Sequence, residues 1–231
     1  MKVAILYSGG KDSTLAIEEA LKKGWEIKYL ISAKPTRTDC YLFHFATVEQ
    51  TKQLAKILGL KHILITCAVA DPKKEAALIK AIIEKNPVDA LVLGGTGLQK
   101  TQIGSLQKAL FPKTEVFAMH DSLDHEEILL YMLNRGYEII ISQIASDGLH
   151  DWLGKTLTQE NFNDFRLASY KYGFHIGGEG GYYDTLVCNA PFFKKRLVIK
   201  NAHVVRENKY CGFLEVKEAI VEDKEEFVLA N

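Results

Sequence analysis

The sequence predicts an α/β fold, a doubly wound parallel sheet followed by a smaller α+β portion. Three observations predict it. Short apolar runs alternate with helical patterns from the N-terminus to about residue 118. The first of these runs is apolar throughout, as expected of a strand buried on both faces. Glycine-rich turns follow the first and fourth runs, where an open parallel sheet binds its ligands.

The elements follow in order. Lys2–Tyr7 reads as the first strand, and Asp12–Lys23 as a helix closed by Gly24. Glu26–Ala33 is a second strand, and Phe43–Leu58 a longer helix stopped by Gly59. His62–Thr66 is the third strand. Pro72–Glu84 is a helix with proline in its first turn, where the missing N–H costs nothing. Asp89–Leu93 is the fourth strand, Gln99–Leu110 a helix and Thr114–Ala118 a fifth strand. Strand–helix–strand units of this kind wind right-handed into a Rossmann-like sheet. The character then changes. Helices are expected over Ser122–Arg135 and Thr158–Tyr172, and a strand over Glu138–Ile144. Strand-like runs follow at Arg196–Ile199, Ala202–Val205 and Phe213–Ile220. The expected division is a nucleotide-binding domain over 1–118 and a substrate-binding α+β domain over 119–231.

Composition narrows the function. The 231 residues are 47% hydrophobic and 25% charged, ordinary for a globular chain. Lys+Arg and Asp+Glu both number 29, so a broad electrostatic grip on nucleic acid is disfavoured. No apolar run is long enough for a transmembrane helix, and the N-terminus reads as a strand rather than a signal peptide. Cys40, Cys67, Cys188 and Cys211 form no CxxC pair, so a reduced, cytoplasmic protein is expected.

The most informative stretch is Ser8-Gly9-Gly10-Lys11-Asp12-Ser13, set between the first strand and its helix. A helix N-terminus offers unpaired N–H groups and partial positive charge. Glycines let an anion approach the backbone. Lys11 would neutralise phosphate charge, and the hydroxyls of Ser8 and Ser13 would donate. Asp12 would repel a bare phosphate, but suits a magnesium ion bound to one. Gly94, Gly95 and Thr96, ending the fourth strand, would let the nucleotide approach the sheet.

Two stretches are decoys. GLHDWLGKT resembles a Walker A loop, yet five residues separate Gly148 from Gly154 where that motif has four. HDSLDHEE, from His120 to Glu127, reads as a capped acidic first turn rather than a metal site.

SGGKDS after a buried strand resembles the PP-loop of N-type ATP pyrophosphatases, of the adenine nucleotide alpha-hydrolase-like fold. Later blocks narrow the resemblance. DCYLFHFATVEQTKQLAKILGL, DPKKEAALIKAI, IASDGLHDWLGKTL and GGEGGYYDTLVCNAPFFKK are similar, in order, to blocks of the diphthine–ammonia ligases. The resemblance covers Lys2 to about Arg196. It implies ATP and Mg2+ as cofactors, ammonia as co-substrate and the diphthine form of translation elongation factor 2 as protein substrate. It also implies amide formation through an acyl adenylate, releasing AMP and pyrophosphate. Lys11, Asp12 and Ser13 would serve catalysis, with Asp12 on the metal.

The acceptor side departs from the family. Leu98-Gln99-Lys100-Thr101-Gln102 loses a tyrosine and an arginine, and Tyr182 stands where a second glutamate is usual. His44, Gln99, Lys100, Glu179, Gly180, Gly181, Tyr183, Asp184 and Thr185 are the expected acceptor residues. Tyr182, Tyr183 and Trp152, with Glu179 and Asp184, would offer aromatic faces and carboxylates to the quaternary ammonium of diphthine. Two rival readings share the loop: a PP-loop enzyme with another acceptor, including tRNA, and a non-catalytic nucleotide-binding regulator. A homo-oligomer is compatible with the sequence.

Overall fold

A computed structural model describes residues 1–35, 47–68, 71–95, 100–120 and 123–224. The first sheet has five parallel strands in the order β3-β2-β1-β4-β5. These are β1 (Lys2–Leu6), β2 (Glu26–Pro35), β3 (His62–Cys67), β4 (Ala90–Leu93) and β5 (Glu115–Ala118). The connecting helices are α1 (Lys11–Lys22), α2 (Thr51–Leu58), α3 (Pro72–Lys85) and α4 (Lys100–Leu110). The expected α/β sheet is therefore present.

The two-residue period of β1 sets its layers. Val3, Ile5 and Tyr7 enter the core that holds Leu15 and Ile17 of α1 and Leu54 of α2. Ala4 and Leu6 enter the opposite core, with Ile79 of α3 and Leu106 of α4. Local chemistry delimits the helices. The Asp71 carboxylate accepts from Lys73 N and Lys74 N, and Pro72 occupies the first turn of α3. Gly59 ends α2 in the left-handed conformation that spares it a Cβ clash.

The rest of the chain forms an antiparallel sheet in the order β7-β6-β10-β9, with β8 also on β6. Its strands are β6 (Glu138–Ala145), β7 (Thr156–Leu157), β8 (Tyr183–Asn189), β9 (Lys195–Arg206) and β10 (Cys211–Asp223). Two helices accompany it, α5 (His125–Asn134) and α6 (Gln159–Tyr172). Their buried faces do not form a separate core. Leu129, Met132, Ile139, Phe165 and Leu186 belong to the same continuous cluster as Val3, Ile5 and Leu15. The antiparallel half is thus packed on the α1–α2 side of the parallel sheet.

The expected helix over Phe43–Leu58 differs from what is observed. Residues 43–46 lie outside the described segments, Val48–Gln50 form a 3-10 turn, and α2 begins at Thr51. α5 starts at His125, where the Asp124 carboxylate accepts from Glu126 N and Glu127 N and so caps it; Ser122, the expected start, lies outside the described residues. The two short runs expected at Arg196–Ile199 and Ala202–Val205 are one strand, β9.

A buried carboxylate ties the halves together. Glu18 on α1 is 4% exposed and meets Lys22 at 3.1 Å and Arg135 at 2.9 Å. The Tyr137 hydroxyl donates to it as well. Burial alone would raise this carboxyl's pKa, but the hydrogen bonds from Tyr137 and Lys22 outweigh it and hold it below the ordinary value. A depressed pKa stabilises the fold above the unfolded-state value and loses that contribution as pH falls. Tyr137→Phe removes a donor to a charged acceptor and should cost about 1.5–3 kcal/mol at neutral pH. In urea titrations the gap from the parent should stay level above about pH 5 and shrink on acidification.

Candidate active site

The turn from β1 into α1 is built for an anion. Gly9 adopts φ +81°, and a Cβ there would press on Thr51 and Leu54, both at 3.3 Å. Gly10 precedes the helix and has no side chain to cap it, so the first-turn N–H groups are left to other partners. Ser8 and Ser13 draw the turn closed. Their hydroxyls are 3.1 Å apart, and Ser13 Oγ also accepts from Ser8 N at 3.2 Å.

The second half of the chain braces this turn. Val187 N on β8 donates to Gly9 O at 2.9 Å. Lys11 N donates to Thr185 Oγ1 at 3.0 Å. A threonine 174 residues away thus satisfies one orphan donor of α1. Lys11 is 4% exposed, and its ammonium donates to Asp12 Oδ2 at 2.7 Å and to Gly177 O at 2.5 Å. Asp12 Oδ1 is buried with no hydrogen-bond partner among the described residues. Such an oxygen fits a magnesium ion or its water, and a helix N-terminus with a buried lysine fits the phosphates of ATP.

Gly94 and Gly95 meet the loop from β4, and both are buried. A Cβ on Gly94 would lie 2.3 Å from Asp12 C and 2.5 Å from Ser13 N. Glycine is required there by close approach, not by turn geometry. Thr96 lies outside the described residues.

Family models decide what this loop belongs to. A model described as diphthamide synthase N-terminal domain matches residues 1–110, and one described as diphthamide synthase C-terminal domain matches residues 124–221. The chain belongs to the diphthamide synthase family. A human protein named diphthine–ammonia ligase is 27% identical over 97% of this chain and 94% of its own. One of the same name from Schizosaccharomyces pombe is 29% identical over 98% of this chain and 41% of its own. A solved structure described as a predicted subunit of tRNA methyltransferase, from Methanocaldococcus jannaschii, has a TM-score of 0.44. It shares 18% identity, over 82% of this chain and 97% of that one.

The residues expected on the acceptor side are placed unevenly. His44 and Gln99 lie outside the described residues, as does Leu98. Lys100 is exposed at the start of α4. Gly180 and Gly181 form a turn with φ +88° and +83°. Glu179 beside them is buried, while Asp184 and Tyr182 are half-buried. Thr185 is spent on the loop itself.

Tyr183 corrects the expectation of an open aromatic face. It is 4% exposed and stands edge-on to Phe165 with ring centroids 5.5 Å apart. Its hydroxyl donates to Ile176 O at 2.5 Å, and the Lys11 ammonium lies 5.7 Å from its ring centroid. Trp152 packs on the same Phe165 at 4.8 Å. These rings are walls of the core, and a cation already stands over Tyr183. Tyr183→Ala should therefore destabilise the fold by about 3–5 kcal/mol. It should reduce nucleotide and acceptor binding together, read by thermal denaturation beside ATP titration.

Three histidines stand near the loop, and their signal is spatial: His120 and His125 lie in the stretch read from the sequence as a capped acidic turn, and His175 drew no reading there. His125 and His175 stack edge-on at 4.6 Å. A Cβ on Gly177, whose carbonyl holds Lys11, would fall 2.3 Å from His125 Nδ1. Burial pushes the His125 pKa down to about 4, helped by His175 and the Lys11 charge. His175 is lowered too, by burial first and then Lys11. At neutral pH both are uncharged, and Lys11 supplies the positive charge at the turn. His120 is considered below.

Proposed function

We propose that this chain is an ATP-dependent carbon–nitrogen ligase of diphthamide biosynthesis, amidating the diphthine carboxylate of elongation factor 2 with ammonia. Membership of the diphthamide synthase family and the ligase names of its relatives support that role. The observation that carries it is the start of α1, where a helix N-terminus without a side-chain cap from Gly10, buried Lys11 and an Asp12 oxygen unpartnered among the described residues converge beside Gly94.

An amide does not form from a carboxylate and ammonia unless the oxygen is first made a good leaving group. In our reading ATP provides it, through attack of the carboxylate on the α-phosphate. Ser8, Ser13 and the α1 N–H groups hold the departing pyrophosphate, and Lys11 balances the charge that grows on it. Asp12 would hold magnesium, which neutralises the phosphates further. Gly9, Gly10, Gly94 and Gly95 leave room for the nucleotide to lie against backbone, so that the reacting atoms are held in line.

The test is AMP release from ATP with magnesium, ammonium and diphthine-bearing elongation factor 2. AMP that requires both factor and ammonium is expected. Tight ATP binding without such AMP would overturn the ligase reading and leave a different acceptor or a regulatory role.

A further inference from the structure

The reaction needs ammonia beside the activated carboxylate, and one buried group is suited to hold it. His120 follows β5, and its backbone N–H reaches Gly95 O at 3.4 Å. It is 1% exposed. Its Nδ1 lies 3.0 Å from Gly94 O. A carbonyl only accepts, so Nδ1 carries the proton and donates. In the neutral ring Nε2 is then a bare acceptor. That atom is buried and has no hydrogen-bond partner among the described residues. Burial lowers the pKa of His120, against the raising effect of Asp12, so the ring stays neutral.

His120 lines a cavity of about 290 Å3 between α1 and α5. Leu15, Met119 and Ile128 give it apolar walls. Glu19, Asp124 and Glu127 add carboxylates. Glu19 is paired with Lys22 and Asp124 caps α5. Glu127 is exposed and enters no ion pair among the described residues. The outer part would therefore attract a small cation, and the inner part favours its neutral form. The inner wall adjoins the phosphate loop, because the Gly94 that His120 grips is the one packed on Asp12 and Ser13.

We propose that this cavity is the ammonia site, with His120 Nε2 accepting one N–H of ammonia and leaving the nitrogen lone pair free. The inference rests on the ligase reading above. The lone pair forms the bond to the acyl carbon, the acyl–oxygen bond to AMP breaks, and AMP leaves with that electron pair. The surplus proton on nitrogen passes to water. A weakly basic imidazole suits this role, since it orients ammonia without protonating it.

His120→Asn separates this from a structural role, since its amide N–H stands near the place of Nδ1 and can keep the bond to Gly94 while Nε2 is lost. At saturating ATP and factor, its KM for ammonium should rise about tenfold, as for one lost hydrogen bond. Its KM for ATP, and ammonium-free exchange of pyrophosphate into ATP, should stay within about twofold of the parent. Glu127→Gln, on the exposed rim, is a second variant should the first not fold. It should raise the ammonium KM about twofold at low salt and not at high salt. An unchanged ammonium KM in the folded variants, with a parent that makes AMP, would overturn the ammonia site alone. A parent that makes no factor-dependent AMP would overturn the ligase reading, and this site with it.

Discussion

Gly94→Ala should abolish measurable ATP binding while adding only one methyl group. Its Cβ would stand 2.3 Å from the Asp12 carbonyl carbon and 2.4 Å from the carbonyl oxygen. These are backbone atoms in the first turn of α1, so no rotamer change relieves the contact. The helix must move away from β4, or the β4 turn must move from the helix. Both movements are resisted. Leu15 and Ile17 anchor α1 in one core, and Leu91 and Leu93 anchor β4 in the other. The Gly94 carbonyl is also held by His120. Overpacking of this kind costs about 3 kcal/mol of stability. A shift near 1 Å in a reacting group costs about 10²-fold in rate. Calorimetric ATP titration beside a thermal melt checks both. ATP affinity within the parent's range would mean that the nucleotide does not lie along the start of α1. Gly104→Ala is the control, since among the described residues nothing beyond its chain neighbours and its own helix backbone lies within 4 Å of its added Cβ.

How much of this was legible in the sequence follows from the range of the interactions. The parallel sheet was legible because its signals are local. The apolar run of β1, Pro72 at the start of α3 and Gly59 at the end of α2 each act within a few residues. β9 was read as two runs and β10 as too short because charged residues interrupt the apolar pattern, Lys200 between the two runs of β9 and Glu222 and Asp223 beyond Ile220 of β10. Lys195 pairs with Asp223 at 2.7 Å and Lys200 with Glu222 at 2.7 Å. The strands run on through cross-strand partners where the apolar alternation has ended. SGGKDS was legible for the same local reason as β1. Its supports were not. Thr185 stands 174 residues from Lys11 and Gly177 stands 166, and neither threonine nor glycine advertises such a contact. Tyr183 misled for the opposite reason. Its neighbours in sequence are glycines, an acid and a second tyrosine, which read as an exposed turn. Its side chain is nonetheless committed to Phe165 and Ile176 in the core.

Lys11→Met should lower AMP release by about 10²–10³-fold, with most of the loss in kcat. The expectation rests on where the ammonium already stands. Before reaction it is satisfied by Asp12 Oδ2 and Gly177 O, and it is shut from solvent. It therefore gains little when ATP arrives. It gains more when charge concentrates on the departing pyrophosphate, and only interactions that strengthen in the transition state raise kcat. Methionine fills comparable space but leaves the Asp12 carboxylate and the Gly177 carbonyl unpaired, at a cost of about 1–3 kcal/mol. Lys11→Arg should not rescue the rate. The buried site is bounded by Tyr183, 5.7 Å away at its ring centroid, and a planar fork does not fit a position shaped for a point charge. Steady-state kinetics over ATP concentration decides the matter. A variant whose KM for ATP rises while kcat stays level would make Lys11 a simple binding group. A variant with wild-type kcat and KM would remove it from the chemistry.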